Sequence, residues 1–361
     1  MPEPSAIAPY LEEMHQNRWY TNFGPLAQRF EAAIADFMAE TGSPGMHTGT
    51  FSSATTGLEL MLRAMQLPKG GKVLIPALTF PATALAIMNA GLEPVFGDVD
   101  PFSWELTAKM ADTAHSHSPL AAVMPVSAFG KPVETDQWLD FQQANSVPVL
   151  IDAAAVLGQQ PVPSGLSAVF SLHATKPFGV GEGGLVVTSD IELLTRAKSL
   201  SNFGFVAGMT GVVQQAGTNA KFGEYYAAVG LAQIARWREV IEKRRRVAAL
   251  YMDHIAPLCN RIRLQSGIEN FVPAVFPIFA PGKANEIQAA MTAVGIQTRK
   301  WYLPLLYKHP ALAHLQFAVP GEEASVAACN ELADGLIGLP FHAFLREDDI
   351  KKICAVLARI V

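Results

Sequence analysis

The stretch from Phe170 to Asp190, FSLHATKPFGVGEGGLVVTSD, sets the topology at one side of the predicted sheet. Apolar runs bounded by turn residues predict strands, here SAVFSLH at 167–173 and GLVVTSD at 184–190. Only a short loop joins them, and a tight connection favours an antiparallel pair. The glycines in GVGEGG lead into a strand and not into a helix, which argues against a dinucleotide-binding fingerprint.

Lys176 stands in this loop, immediately before a proline. An isolated lysine in a loop is usually a surface charge. This one is flanked by strands, apolar residues and glycines, so we expect it near the sheet edge in a poorly hydrated site. There the pKa of a lysine falls and its amine becomes a usable nucleophile. The neighbouring His173 is an obvious acid/base candidate, but its role is undefined.

Strands and helices alternate ahead of this loop, which is typical of a predominantly parallel sheet with crossover helices. Together with the antiparallel pair, the pattern predicts an α/β fold with a mixed, mostly parallel sheet flanked by helices. The predicted strands are KVLIPA at 72–77, EPVFGDVD at 93–100, AAVMPVSAFG at 121–130 and VPVLIDAA at 147–154. The predicted helices are FEAAIADFMAE at 30–40, TTGLELMLRAM at 55–65, ATALAIMNAG at 82–91 and TDQWLDFQQAN at 135–145.

The length of 361 residues predicts two domains, because single hydrophobic cores stop growing near ~250 to 300 residues. A long helix is expected from about Gly223 to His254, and beyond it the chain changes character. A predicted strand, FVPAVFPIFAP, is followed by predicted helices at NEIQAAMTAVG and DDIKKICAVLARIV. We therefore expect a large domain at 1–245, including the N-terminal segment, and a smaller C-terminal α+β domain at 246–361.

The charge pattern argues against a nucleic-acid partner. The net charge is −5, and the 27 basic residues are scattered. The densest basic run, Lys243–Arg246, is predicted to be a solvated helix face and not a phosphate or partner site.

The cysteines and the N-terminus indicate the compartment. Cys259, Cys329 and Cys354 are far apart and form no CxxC pair, so neither a disulfide scaffold nor a metal site is expected. The N-terminus lacks the basic start and apolar run of a signal peptide. The sequence contains no run of about 18 consecutive apolar residues, so no membrane span is predicted. We expect a cytoplasmic protein in a reducing compartment.

Two further features resemble parts of a ligand site. SSATTG at 52–57 precedes a helix and is either a helix cap or a phosphate cradle. Asp152 ends an apolar run, where it is either a cap or a buried carboxylate that needs a cationic partner. With Lys176 these are the parts of a pyridoxal phosphate site, in which a lysine binds the cofactor and a carboxylate keeps the pyridine nitrogen protonated. Spacing alone leaves this as one possibility among several.

Motifs along nearly the whole chain resemble those of one family, the sugar-nucleotide aminotransferases of the DegT/DnrJ/StrS type. These motifs are YTNFGPLAQRFE at 20–31, SSATTGLELML at 52–62, IPALTFPATALAIMNAGLEPVFGDVD at 75–100, PVSAFGKP at 125–132, IDAAAVLG at 151–158, FSLHATKPFGVGEGGLVVT at 170–188, GTNAKFGEYYAAVGLAQ at 217–233 and GIQTRKWYLPLL at 295–306. The resemblance implies the aspartate aminotransferase (type I) fold of pyridoxal phosphate-dependent transferases.

The resemblance also implies roles around the cofactor ring. Lys176 matches the lysine to which the family's cofactor is covalently attached. Asp152 matches the partner of the pyridine nitrogen, and Phe80 matches the aromatic residue that stacks on the ring.

Four positions match the family's phosphate ligands. Ala54 and Thr55 correspond to the pair whose backbone and hydroxyl hold the cofactor phosphate, and Ser171 to a second ligand. Asn219 matches the asparagine that reaches the phosphate in the neighbouring subunit. The resemblance therefore implies a homodimer in which the subunits share the active site.

The chain departs from the family pattern in several places. Ala155 stands where a glutamine usually contacts the phenolic side of the cofactor, so one orienting hydrogen bond is missing or supplied elsewhere. Ser127 and Leu306 stand where histidines are common, and both substitutions are expected to reshape the substrate side. The interval from Asp152 to Lys176 is also shorter than in the family pattern.

The function implied by the resemblance is amino transfer to a nucleotide-linked keto sugar, with L-glutamate as the donor. Two alternatives stay open: an aminotransferase for a keto-cyclitol or another small carbonyl compound, and a non-catalytic sensor or regulatory protein. A related sugar dehydratase is disfavoured, because that activity goes with replacement of the lysine by histidine. Trp301, Tyr302 and Lys221 are candidate substrate-side residues or packing residues. The sugar, the nucleotide and the ring position are not specified by the sequence.

Overall fold

The fold is described from a computed structural model, which describes residues 1–205, 211–319 and 325–361. It is an α/β fold, as predicted. The strands are β1 (His47–Phe51), β2 (Lys72–Pro76), β3 (Glu93–Gly97), β4 (Ala122–Val123), β5 (Leu150–Asp152), β6 (Ser167–Ser171), β7 (Gly184–Thr188), β8 (Phe276–Phe279) and β9 (Leu336–Leu339). The helices are α1 (Pro4–Asn17), α2 (Pro25–Glu40), α3 (Ala54–Ala64), α4 (Pro81–Asn89), α5 (Ala108–His117), α6 (Thr135–Asn145), α7 (Ile191–Ser201), α8 (Glu224–Ile255), α9 (Ala284–Ala293), α10 (Ala327–Gly335) and α11 (Glu347–Leu357).

The large sheet is mixed, as the sequence predicted. One part has the order β1-β7-β6-β5 and the other the order β3-β2-β4. Parallel bridges from Val123 to Val149 and from Val126 to Asp152 join the two parts. The pairs within β3-β2-β4 and the β5-β6 pair are parallel, whereas β7 is antiparallel to both its neighbours. The carboxyl ends of β5 and β6 therefore lie at the same edge of the sheet.

Both faces of this sheet are buried. Successive residues of one strand enter different hydrophobic clusters: Ala168 and Phe170 belong to one, and Val169 to the other. Helices α2 and α8 contribute to the first cluster, and helices α3, α4 and α7 to the second. Parallel sheets covered by helices on both faces need such continuously apolar strands.

Glycines allow the chain to turn back after the lysine loop. A Cβ atom on Gly184 would lie 2.2 Å from the carbonyl oxygen of Ser53, so only glycine lets β7 pass this close to the start of α3. Gly181 has φ +118°, a conformation that side chains disfavour. The antiparallel pairing of β6 with β7, predicted from this stretch, is confirmed.

Helix α8 runs without interruption through the predicted domain boundary near residue 245. A separate hydrophobic cluster includes Val247, Tyr251, the β8 residues Phe276 and Ile278, and Leu357 of α11. Strands β8 and β9 form a small antiparallel sheet next to it. We therefore propose that the boundary lies within α8 and that the two domains share this helix.

One prediction about α8 is wrong. The basic run Lys243–Arg246 is not wholly a solvated face, because Arg244 is buried with 7% of its surface exposed. Its neighbours Arg245 and Arg246 are exposed. At helical spacing, one residue of a four-residue run can point inward while the others face water.

Within the described residues, no helix combines the length and apolar character needed to cross a bilayer.

Candidate active site

A cavity of about 430 Å³ opens where β5 and β6 end, a volume typical of small-molecule sites. It brings together residues that are far apart in sequence. Six of the seven candidate site residues line it, namely Ala54, Thr55, Phe80, Asp152, Ser171 and Lys176. The seventh, Asn219, is exposed and is not among the residues that line the cavity.

Asp152 is the last residue of β5 and is almost completely buried. The Thr83 hydroxyl donates a 2.8 Å hydrogen bond to its Oδ2 atom, and the Ala154 N–H lies 3.2 Å from Oδ1. Burial raises the pKa of this carboxyl, while the bond from Thr83 and the charge of Lys176 partly oppose the rise. A carboxylate in this position is oriented on both oxygens and strongly favours a nearby positive charge.

Lys176 follows a tight turn in which its backbone N–H donates to the His173 carbonyl at 2.8 Å. Burial lowers the pKa of its amine, and the charge of Asp152 partly opposes this. The amine is therefore closer to its neutral, nucleophilic form than a surface lysine would be. The surface-charge interpretation of this residue does not apply.

The N-terminus of α3 offers free amides to the cavity. Ser53 caps the helix by accepting from the Thr56 N–H at 3.1 Å. The first amides of a helix have no intrahelical partner, which leaves the N–H groups of Ala54 and Thr55 for a ligand. SSATTG is thus both a cap, through Ser53, and a candidate anion cradle, through the two residues that follow it.

Aromatic residues form another part of the wall. Phe80 precedes α4 at its N-cap and is 56% exposed, although the residues around it are largely buried. Trp301 and Tyr302 line the same cavity. Burial, with a smaller contribution from Asp152, raises the pKa of Tyr302 to about 12, so its hydroxyl keeps its proton at neutral pH.

His173 and Glu182 also line the cavity, and their side chains are more exposed than Asp152. The His173 Nδ1 atom accepts from the Thr175 N–H at 3.2 Å, while Nε2 lies 3.4 Å from a Glu182 oxygen. A backbone N–H on Nδ1 selects the tautomer that carries its proton on Nε2.

Asn219 lies outside this cavity, next to another candidate substrate residue. The Lys221 ammonium donates to Asn219 Oδ1 at 2.7 Å and lies 4.6 Å from the centre of the Phe203 ring. Partial burial lowers the pKa of Lys221. Neither residue is among those that line the cavity of its own chain.

The departures from the family pattern have different locations. Ala155 and Ser127 line the cavity, and Ser127 donates to Gln160 Oε1 at 3.0 Å. Leu306, in contrast, is fully buried in the core and is not a lining residue of the cavity. The expectation that it directly reshapes the substrate side is therefore not supported by its position.

Thr83 is a site residue that was not singled out from the sequence. It is completely buried on α4, and its Oγ1 also lies 3.1 Å from the Thr79 hydroxyl. In the sequence, Thr83 stands in an otherwise apolar helix, ATALAIM. That pattern is equally common for a threonine that only packs in the core.

The cavity has the features that pyridoxal phosphate requires. A buried carboxylate and a lysine of lowered pKa lie in one cavity with an exposed aromatic ring. Free amides of α3 and the hydroxyls of Thr55 and Ser171 lie in the same cavity and suit a phosphate group. No cluster of His, Cys, Asp or Glu suited to a metal ion occurs in the part of the chain that the structure describes.

Comparison with known proteins agrees with a pyridoxal phosphate site in this cavity. A model of the DegT/DnrJ/EryC1/StrS aminotransferase family matches residues 3–358. The chain is 28% identical to a dTDP-4-amino-4,6-dideoxy-D-glucose transaminase of Shigella dysenteriae over 372 residues, covering 100% of this chain and 97% of that protein.

Solved structures give the same result. A putative PLP-dependent aminotransferase from Bacillus cereus superposes with a TM-score of 0.89 at 26% identity, covering 99% of this chain and 98% of the other. The structure of DesI in the presence of its TDP-sugar product has a TM-score of 0.87 at 29% identity, covering 99% and 90%. The predicted family, fold and cofactor are confirmed. The chain belongs to the DegT/DnrJ/EryC1/StrS aminotransferase family and is a pyridoxal phosphate-dependent enzyme.

Proposed function

We propose that this enzyme transfers an amino group from L-glutamate to a keto sugar linked to a nucleotide. The observation that carries the proposal is that the buried Asp152 and the half-buried Lys176 line one cavity beside the free amides of α3. The class of acceptor is inferred from relatives of similar length, such as the dTDP-4-amino-4,6-dideoxy-D-glucose transaminase.

The chemistry is divided between the cofactor and the chain. When bound, pyridoxal phosphate supplies an electron-accepting ring and carries the amino group between the two substrates. Lys176 would anchor the cofactor, and its Nζ atom would remove the proton from the α-carbon of the donor. Asp152 would stabilise the protonated ring nitrogen. Ala54, Thr55 and Ser171 would hold the phosphate, and Phe80 would pack on the ring.

The acceptor can be identified by presenting the purified holoenzyme with L-glutamate and a panel of nucleotide-linked keto sugars. We expect one or more of these to yield an amino sugar and 2-oxoglutarate. The panel should include free keto sugars and keto-cyclitols. Turnover of a keto-cyclitol together with failure of every nucleotide sugar would replace this proposal with the alternative activity.

Thr83 is expected to control the orientation of Asp152. Replacing Thr83 with valine keeps the shape of the side chain but removes the hydroxyl that donates to Oδ2. We expect kcat to fall roughly tenfold, since one hydrogen bond to a buried charged group is lost. Steady-state kinetics of Thr83→Val and Thr83→Ser check this.

The serine variant retains the hydroxyl and should keep most of the activity. Thr195→Val is a suitable control, because Thr195 is exposed on α7 and its hydroxyl donates to the Ile191 carbonyl of the same helix at 2.7 Å. Equal kcat values for Thr83→Val and the wild type would contradict the orienting role.

We also propose that the functional unit is a homodimer with a shared active site. Asn219 is exposed outside the cavity of its own chain, where a second copy could use it. Trp19, Tyr20 and Tyr225 are exposed as well, and the two tyrosine rings stack with centroids 6.5 Å apart. Exposed aromatic surface of this kind marks interaction sites.

Subunit mixing tests this arrangement. Lys176→Ala and Asn219→Ala homodimers should each have little activity. After the two variants are unfolded together and refolded, each mixed dimer should contain one site with both native residues, so activity should return to about a quarter of the wild-type value. The same mixture remaining inactive, although mixed dimers form, would show that Asn219 does not serve the partner's site.

A further inference from the structure

Arg244 is a buried cation that the proposed mechanism does not use. Among the described residues, no carboxylate lies within ion-pair distance of its guanidinium group, and its Nε atom is buried without a hydrogen-bond partner. Burial lowers its pKa to about 10, so it remains charged at neutral pH. Because an unpaired buried cation is costly, its contacts must offset that cost.

The guanidinium group holds two consecutive backbone carbonyls. Its Nη2 atom donates to the Pro273 oxygen at 3.0 Å and to the Ala274 oxygen at 2.7 Å. On another side, its Cζ atom lies 4.7 Å from the centre of the Phe341 ring, which favours a cation. Arg244 thus joins α8 to the irregular segment that precedes β8.

This segment, residues 272–275, forms part of the cavity wall through Ala274 and Val275. It has no strand or helix hydrogen bonds of its own, although the sequence pattern predicted a strand there. Gln159 holds its first residue, accepting from the Val272 N–H at 2.7 Å and donating to the Val272 oxygen at 2.9 Å. The position of this wall segment therefore depends on the side chains that hold it.

The wall segment is connected to a second part of the wall. The Ala274 N–H donates to the Phe129 oxygen at 2.8 Å, and a Cβ atom on Gly130 would lie 2.2 Å from that same nitrogen. The Phe129 ring stacks on Tyr302, with centroids 5.0 Å apart and planes 23° apart. A shift of the carbonyls that Arg244 holds would thus be transmitted to Tyr302.

We propose that Arg244 is a positioning residue: it fixes the 272–275 segment and, through Phe129, the Tyr302 side of the cavity, and so sets the apparent affinity for substrate. Arg244 is not among the residues that line the cavity. Loss of its two hydrogen bonds leaves buried carbonyls unpaired, and the segment should then loosen.

The first test is hydrogen–deuterium exchange of the holoenzyme, which needs no substrate. In Arg244→Met, amides in 271–276 and 128–131 should exchange roughly tenfold faster, because two hydrogen bonds that restrict local opening are lost. Arg244→Lys keeps a donor and should recover part of the protection. Arg245→Met is the matched control: this neighbour is exposed, bonds to Glu242 at 2.6 Å and should leave exchange at both segments unchanged.

The second test is kinetic. Arg244→Met should raise the L-glutamate concentration for half-maximal bleaching of the bound cofactor, and the acceptor KM, roughly tenfold, with a smaller change in kcat. The starting absorbance of the bound cofactor should match that of the wild type, and Arg244→Lys should be intermediate. Both kinetic measurements rest on the proposed function, which names L-glutamate as the donor, whereas hydrogen–deuterium exchange does not. If the wild type converts no keto sugar or does not respond to L-glutamate, the proposed function fails and Arg244 is still tested by exchange.

Unchanged exchange at 271–276 in Arg244→Met would overturn the proposal. Faster exchange with an unchanged response to L-glutamate would also overturn it, because Arg244 would then hold the segment without affecting the affinity for substrate. A lower melting temperature with neither change would reduce Arg244 to an ordinary packing residue.

Discussion

Lys176→Ala is expected to abolish turnover and the visible absorbance that marks covalently held pyridoxal phosphate. In the proposed mechanism the Lys176 amine, whose pKa is lowered by burial, is both the anchor and the acid/base group, so its loss would remove two functions at once. We expect kcat to fall by at least ~10⁴, because nucleophilic anchoring and proton transfer are lost together. Absorbance spectra and amino-sugar formation by the purified variant check this.

Lys109→Ala is a suitable control for this variant, because Lys109 is exposed on α5 and is not among the residues that line the cavity. It should remain coloured and fully active. A Lys176→Ala protein that stays yellow and turns over would contradict the assignment of this residue.

Asp152→Asn is the second substitution with a large expected effect. The amide keeps the shape of the side chain and can still accept the hydrogen bond from Thr83, but the charge is lost. In the proposed mechanism the ring nitrogen would then lack the anion that keeps it protonated, and the cofactor would accept electrons less readily. We expect kcat to fall about 10² to 10³-fold, the range seen when one group that stabilises transition-state charge is removed.

This result is distinguishable from loss of the lysine. Because Lys176 is intact, Asp152→Asn should still bind the cofactor covalently and show a visible band, shifted by the change in ring protonation. Asp140→Asn, at an exposed position of α6, provides the control. Full activity of Asp152→Asn would show that the carboxylate is not the partner of the ring nitrogen.

The architecture was predictable from sequence where apolar patterning was strong. Strand β6 and the antiparallel turn into β7 follow from two apolar runs and the glycines between them, and Thr135–Asn145 forms a helix at the predicted bounds. Strand β1 was missed because HTGTF has little apolar character; it is formed by pairing with β7. Strand β9 was missed as well, because it is short and directly follows α10.

The cavity was predictable only in part. The family resemblance pointed to Lys176 and Asp152, and the burial of Asp152 follows from its position at the end of the apolar strand β5. The sequence could not predict the roles of Thr83 and Arg244, because these depend on contacts between distant residues. Thr83 contacts a residue 69 positions away, and Arg244 contacts residues about 30 positions away. Periodicity predicts which face of a helix is buried, but not which distant group a polar residue on that face will meet.

The central proposal is that Lys176 holds the cofactor and that the cofactor accepts an amino group, and one spectroscopic titration tests both. Purified holoenzyme is mixed with L-glutamate, without acceptor, while visible absorbance and 2-oxoglutarate are followed. We predict that the visible band disappears, that 2-oxoglutarate forms in proportion to enzyme, and that a keto-sugar nucleotide restores the band. A wild-type protein that binds pyridoxal phosphate but shows neither bleaching nor 2-oxoglutarate would contradict the account.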